Sequence, residues 1–159
     1  MTLQNDYVLM FPSLGYWLSV KDGDPRAYAL FKKHYTFQQY KNNRRRVARK
    51  NLFAGPGFKT VLLGTDEKAL FVWRKFIDAS GQTGVNCAVF RNEGERLSSE
   101  IILEAEVLAW ARWPGERLYT YVSPGVKSVN PGYCFKMAGW TTCGETKSGL
   151  IILEKLGPF

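Results

Sequence analysis

The stretch Val85-Asn86-Cys87-Ala88-Val89-Phe90-Arg91-Asn92-Glu93-Gly94-Glu95-Arg96-Leu97-Ser98-Ser99 decides the fold. Its first six residues are mostly apolar, the pattern of a strand covered on both faces in the middle of a sheet. Residues Arg91 to Arg96 then make a polar loop around Gly94. Ser98 or Ser99 is placed to cap the helix that follows, because a side-chain oxygen there satisfies an orphan backbone N–H. Ile101, Ile102, Leu103, Ala105, Val107, Leu108, Ala109 and Trp110 lie nearly all round that helix, which predicts burial over most of its surface. Pro114-Gly115 ends it near Trp113, and Arg117–Val122 reads as the next strand. Strand, helix and strand in this order imply a parallel pair joined by a right-handed crossover.

Working outward, the segment before residue 85 is strand-rich. Lys59–Leu63 and Ala69–Ile77 flank the turn Gly64-Thr65-Asp66-Glu67-Lys68 and form a hairpin. Gly55-Pro56-Gly57 is a turn. Asp24-Pro25 opens a helix that runs to Tyr35, with Asp24 as cap and proline at the first position, where no N–H bond is missed. Shorter apolar stretches at Tyr7–Met10 and Gly15–Val20 read as strands. After residue 122, Asn130 caps a short helix opened by Pro131 and stopped by Gly139. Thr141–Thr146 and Leu150–Lys155 close the chain as a hairpin. The expected fold class is α/β (α+β), a mixed central sheet with helices on both faces. One domain over residues 1–159 suffices, since the chain has 159 residues and 45% of them are hydrophobic.

Composition narrows the function. There is one histidine, His34, which excludes a multi-histidine metal centre; no metal is expected. Cys87, Cys134 and Cys143 contain no C-x-x-C pair and are odd in number, which argues against a disulfide framework and suits a reducing, cytoplasmic setting. No apolar run is long enough to cross a membrane, so no membrane partner is expected. Lys plus Arg number 22 against 14 Asp plus Glu, a net +8. Residues 1–59 hold 11 basic and 3 acidic side chains, whereas residues 60–159 hold 11 of each. The whole excess therefore lies in the first third. It is densest at Lys41, Arg44, Arg45, Arg46, Arg49 and Lys50, within a basic segment 38–57. Such a run is either a solvated loop or the contact for a polyanion: DNA, another nucleic acid, cofactor phosphates or an anionic surface.

The loop from Arg91 to Ser99 is the strongest local chemical feature. A helix N-terminus offers unpaired N–H groups and a positive dipole end, and Arg91 and Arg96 add charge, a combination suited to a pyrophosphate. The alternative is a plain strand-to-helix loop with exposed arginines. Neither a P-loop nor a dinucleotide fingerprint is present. Cys134 lies near Lys136 but has only His34 as a possible base partner, so buried packing is the expectation for all three thiols. Trp73, Trp110, Trp113 and Trp140 read as core; Tyr16, Trp17 and Phe37 are candidates to stack on a base.

On these motifs, residues 85–155 resemble the C-terminal half of the GNAT superfamily of N-acetyltransferases. In that fold a central strand leads into an Arg/Gln-x-x-Gly-x-Gly/Ala loop that opens a helix and holds the pyrophosphate of acyl-CoA. Arg91-Asn92-Glu93-Gly94-Glu95-Arg96 matches up to its last position, where Arg96 replaces a small residue. Phe135-Lys136-Met137-Ala138-Gly139-Trp140 is similar to the family's short helix with its Gly-aromatic stop, with Phe135 where the family often has a tyrosine acid. The block from Tyr119 to Phe135 also resembles small GNAT-like phage proteins and, more distantly, Mom-type DNA-modification enzymes.

The resemblance implies transfer of an acyl group from acetyl-CoA or another acyl-CoA to an amine, with a nucleic-acid base as a possible acceptor. It implies a donor site along Cys87, Val89 and Phe90, with Arg91, Asn92, Gly94, Arg96, Ser98 and Ser99 at the pyrophosphate. Tyr133 and Tyr121 are the candidate acids, and His34 is a further catalytic candidate on the acceptor side, next to the inserted basic loop. Asp78 and Glu104 are weaker candidate bases. The contrasting expectation is a GNAT-shaped protein without transfer activity that binds nucleic acid through residues 41–50.

Overall fold

A computed structural model describes residues 15–34, 51–77, 79–124 and 130–158. The strand expected at Tyr7–Met10, the basic residues Lys41 to Lys50, and Tyr35, Phe37 and Asp78 lie outside the described residues. The others form β1 (Trp17–Val20), α1 (Pro25–Phe31), β2 (Phe58–Gly64), β3 (Ala69–Lys75), β4 (Val85–Asn92), α2 (Ser98–Arg112), β5 (Leu118–Val122), α3 (Tyr133–Met137), β6 (Thr141–Glu145) and β7 (Ile151–Lys155). The seven strands make one mixed sheet in the order β1-β2-β3-β4-β5-β7-β6. All neighbours are antiparallel except β4 and β5, which pair in parallel. The strand read from residues 85–90 is thus the centre of the sheet, and α2 is the crossover.

Strand alternation divides the core in two. Leu62, Phe71, Trp73, Cys87, Leu118 and Leu153 face α2 and α3, packing on Ile101, Ile102, Ala105 and Phe135. Val61, Leu63, Leu70, Val72 and Val89 face the other way, onto Ala27, Leu30 and Phe31 of α1 and onto Phe53 and Ala54. Helices therefore cover both faces. Asp24 caps α1 as expected, accepting from the N–H groups of Arg26 and Ala27. The part of the basic segment that is described, residues 51–57, is anchored by Asp22, which accepts from Phe53 N–H at 2.9 Å and Ala54 N–H at 3.2 Å.

Several local expectations are corrected. The first helix ends at Phe31 and does not run to Tyr35; Tyr16 and Trp17 are buried in the core and are not open to stack on a base; and Cys143 is exposed. Neither Ser98 nor Ser99 caps α2: Leu97 occupies the cap position without a side-chain bond, because the Ser98 hydroxyl instead accepts from Asn92 Nδ2 at 3.0 Å. Asn130 does not cap α3, whose cap is Gly132 at φ 75°. The Asn130 carboxamide takes Lys136 Nζ at 2.8 Å instead. Nor is α2 buried all round by its apolar residues. Leu103 and Val107 are exposed, while Glu104 and Glu106 point inward. The inward carboxylates find partners there: Glu106 takes Lys155 Nζ at 2.7 Å and Trp140 Nε1 at 2.8 Å. Indoles from β1 and β3 fix the same helix, with Trp17 Nε1 donating to the Ile101 carbonyl and Trp73 Nε1 to the Ala105 carbonyl, both at 2.8 Å.

Candidate active site: a cleft where the central strands part

The parallel pairing of β4 and β5 is short. It begins where Val85 N–H meets the Arg117 carbonyl at 2.7 Å. Gly84 makes this approach possible: a Cβ there would stand 2.2 Å from that carbonyl oxygen, at a φ of 116°. Only Val85, Asn86 and Cys87 are in register with Leu118, Tyr119 and Thr120. Beyond them β4 runs on to Asn92 and β5 to Val122 without pairing to each other. The parting coincides with a bulge at Ala88, where Val89 opposes Val72 and Cys87 opposes Trp73. A bulge adds a residue and increases local twist, which turns one strand away from its neighbour. The Thr120 hydroxyl donates to the Cys87 carbonyl at 2.9 Å and closes the base of the fork.

The fork opens into a cavity of about 480 Å³. One wall is Cys87 to Phe90, the other Thr120 to Ser123, and α3 with Pro131 and Gly132 covers the end. Gly132 is required there, since a Cβ would lie 2.4 Å from Leu153 Cδ1. Along β4 the main-chain groups that would have bonded a longer β5 face this space. The cleft is largely apolar, and on one side it is edged by the part of β4 that is not paired with β5.

His34, Tyr121 and Tyr133 all line this cleft. His34 is buried and makes a backbone hydrogen bond to Phe90; burial, reinforced by the nearby Arg91 charge, brings its pKa down to about 4. Its imidazole is therefore neutral at physiological pH. The Tyr121 hydroxyl is engaged by Ser80. Tyr133 is the first residue of α3, 57% exposed at the rim. Of the expected donor residues, Cys87, Val89 and Phe90 all line the cleft; Cys87 and Phe90 pack with the core under α2 and α3, and Val89 with the core under α1. Burial pushes the Cys87 and Cys134 thiols up, which removes them as thiolate nucleophiles.

The loop that follows is tightly organised. Asn92 Oδ1 accepts Gly94 N–H at 2.9 Å, and its Nδ2 donates to the Arg96 carbonyl at 2.8 Å. A Cβ at Gly94 would meet Asp66 Oδ2 at 2.7 Å, so that carboxylate would have to shift to admit one. Both loop arginines have carboxylate partners. Arg91 pairs with Glu93 at 2.5 Å. Arg96 lies over the Tyr16 ring and pairs with Glu104 at 2.5 Å, which makes Glu104 a partner of Arg96 with no place in the cleft. Ser99 stands in the first turn of α2. The bulge, Thr120 and the Lys33–Glu93 pair escaped the sequence reading. No short motif marks a bulge, and Lys33 is 60 residues from Glu93. No family model matches the chain, and no curated protein matches it.

Proposed function

We propose that this protein is an acyl-CoA-dependent N-acyltransferase of GNAT type, with an amine on a nucleic-acid base as the first acceptor to test. The parting of β4 and β5 into an apolar cleft carries the reading. A pantetheine arm is long, thin and amide-bearing, and it fits a cleft edged by open strand backbone. A β4 N–H directed at the thioester carbonyl would stabilise charge developing on its oxygen. His34, neutral and inside the cleft, is placed to receive a proton from the amine, and Tyr133 at the rim to return one to the departing thiolate. Positioning supplies much of the rate in such a transfer.

Titration calorimetry with acetyl-CoA tests the donor. Micromolar binding is expected, weakened about tenfold by Arg91→Ala, as loss of one charge-assisted contact implies. Absence of heat at millimolar acetyl-CoA would remove the transferase reading.

A second reading is a nucleic-acid-binding protein without transfer activity. It is favoured by the carboxylate partners already held by Arg91 and Arg96. Its contact would be Lys41 to Lys50, outside the described residues. Joint substitution of Arg44, Arg45 and Arg46 by alanine is expected to weaken duplex DNA binding at least tenfold and flatten its salt dependence, because about three phosphate contacts are lost. Unchanged DNA affinity would exclude nucleic acid under both readings.

A further inference from the structure

Two cations from separate elements converge beside the cleft on a single carboxylate. Arg91 is the last residue but one of β4, and Lys33 lies in the turn after α1. Glu93 Oε2 takes Arg91 Nε at 2.5 Å, and Glu93 Oε1 takes Lys33 Nζ at 3.2 Å. The placement of Arg91 does not depend on Glu93 alone. Arg91 Nη1 also donates to the Lys33 carbonyl at 2.9 Å, in the turn where Lys33 N–H bonds the Leu30 carbonyl at 3.1 Å. Nor does the loop depend on the Glu93 side chain. Its main-chain N–H donates to the Lys68 carbonyl at 2.7 Å, and Asn92 holds the next residue. The carboxylate can therefore rotate outward with Arg91 and the main chain of both segments left in place, and with Lys33 Nζ beside them on an exposed side chain. Of the other carboxylates at this loop, Asp66, beside Gly94, is occupied by the Tyr16 hydroxyl and Lys68 N–H, and Glu104 by Arg96; Glu95 belongs to the loop itself.

A two-oxygen anion bridging a guanidinium and an ammonium has the charge and shape of a phosphate on the same pair. We infer that Arg91 and Lys33 form a phosphoryl subsite beside the cleft, and that Glu93 is its internal occupant, displaced when a polyphosphate-bearing ligand binds. The assignment of that ligand as acyl-CoA rests on the proposed function; the subsite itself does not. Glu93 then sets affinity: it competes with the ligand's pyrophosphate and keeps weaker anions out.

Calorimetry at 50 mM NaCl, with inorganic pyrophosphate and with acetyl-CoA, separates the two claims. Pyrophosphate is expected to bind Glu93→Gln about fivefold tighter than wild type, the size of effect carried by two half-exposed ion pairs. The gain should vanish in Lys33→Gln/Glu93→Gln, and should shrink at 500 mM NaCl as screening shortens to about 4 Å. Equal or weaker pyrophosphate binding by Glu93→Gln overturns the subsite, since Glu93 would then be holding Arg91 ready and not blocking it. If pyrophosphate behaves as expected while acetyl-CoA binds neither protein, the subsite stands and the donor reading fails. If acetyl-CoA binds wild type but pyrophosphate is indifferent to Glu93→Gln, the donor reading stands and the subsite fails.

Discussion

Replacing Glu106 by leucine is expected to lower the stability of this protein by about 3 kcal/mol, the low end of the cost of breaking a buried ion pair. Glu106 is 2% exposed and joins three elements. It sits on α2, takes Lys155 Nζ of β7 at 2.7 Å, and takes the Trp140 indole N–H, just after α3, at 2.8 Å. Leucine fills the space but strands both donors. Lys155 keeps the Ala138 carbonyl at 2.7 Å and some contact with water, which holds the cost to the low end. In a domain this size the melting temperature should fall by roughly 6–12 °C. Adding Lys155→Met should recover more than half of the loss, because the second charge then no longer needs a partner. Single and double variants melting within about 2 °C of wild type would sink this account.

The same residue predicts a pH slope. Burial raises the Glu106 carboxyl above its ordinary value, against the opposing pull of Lys155 and Trp140. A carboxyl raised on folding contributes fully below its unfolded pKa, and that contribution is lost as pH climbs through the raised value. Glu106→Gln should flatten this part of the stability profile.

Acidification from pH 6.5 to pH 4 is expected to cost the fold about 3 kcal/mol through His34 alone, at 1.36 kcal/mol for each pKa unit. Its folded pKa is about 4 against 6.5 for the free side chain. The unfolded chain therefore binds the proton first on acidification. The contribution is complete above pH 6.5 and falls away as the pH drops toward 4. The cause is geometric: His34 is buried beside the cleft with Arg91 nearby, and both effects oppose a positive imidazole. Urea unfolding of wild type and His34→Gln at pH 7, 5.5 and 4 isolates the effect, since carboxylates that titrate in the same range are common to both. Parallel stability losses in the two proteins would show that His34 does not carry this dependence. The proposed transfer would depend on the same geometry. An imidazole kept neutral through the physiological range can accept a proton from an amine at any pH above about 5, although its low basicity limits the driving force.

What could be read from residues alone was local. Val85–Phe90 declared a central strand because it lacks a polar face. Asp24-Pro25 declared a helix start, and strand-helix-strand order declared the parallel pair, since chirality leaves one way to close it. The Arg91–Gly94 loop declared a place where a strand hands over to a helix. Each of these follows from the period or the turn chemistry of a few neighbouring residues.

The rest depended on partners distant in sequence. An α2 with apolar residues on every side carries no instruction about which side faces in. Leu103 and Val107 face outward because Lys155 and Trp140 arrive from elsewhere to satisfy Glu106, and Arg96 to pair with one oxygen of Glu104. Serines beside a helix start read as caps, but Asn92 had already claimed Ser98. Arginines near a helix N-terminus read as free charge, yet Glu93, Lys33 and Glu104 surround them. The cleft itself has no sequence signature, because it is a place where hydrogen bonds between β4 and β5 stop. The chain by itself determined the described strands and helices and their order, to within a few residues at their ends, for those are properties of short windows. Tertiary structure alone decided which charges meet and where the sheet opens, because both depend on residues brought together from distant parts of the chain.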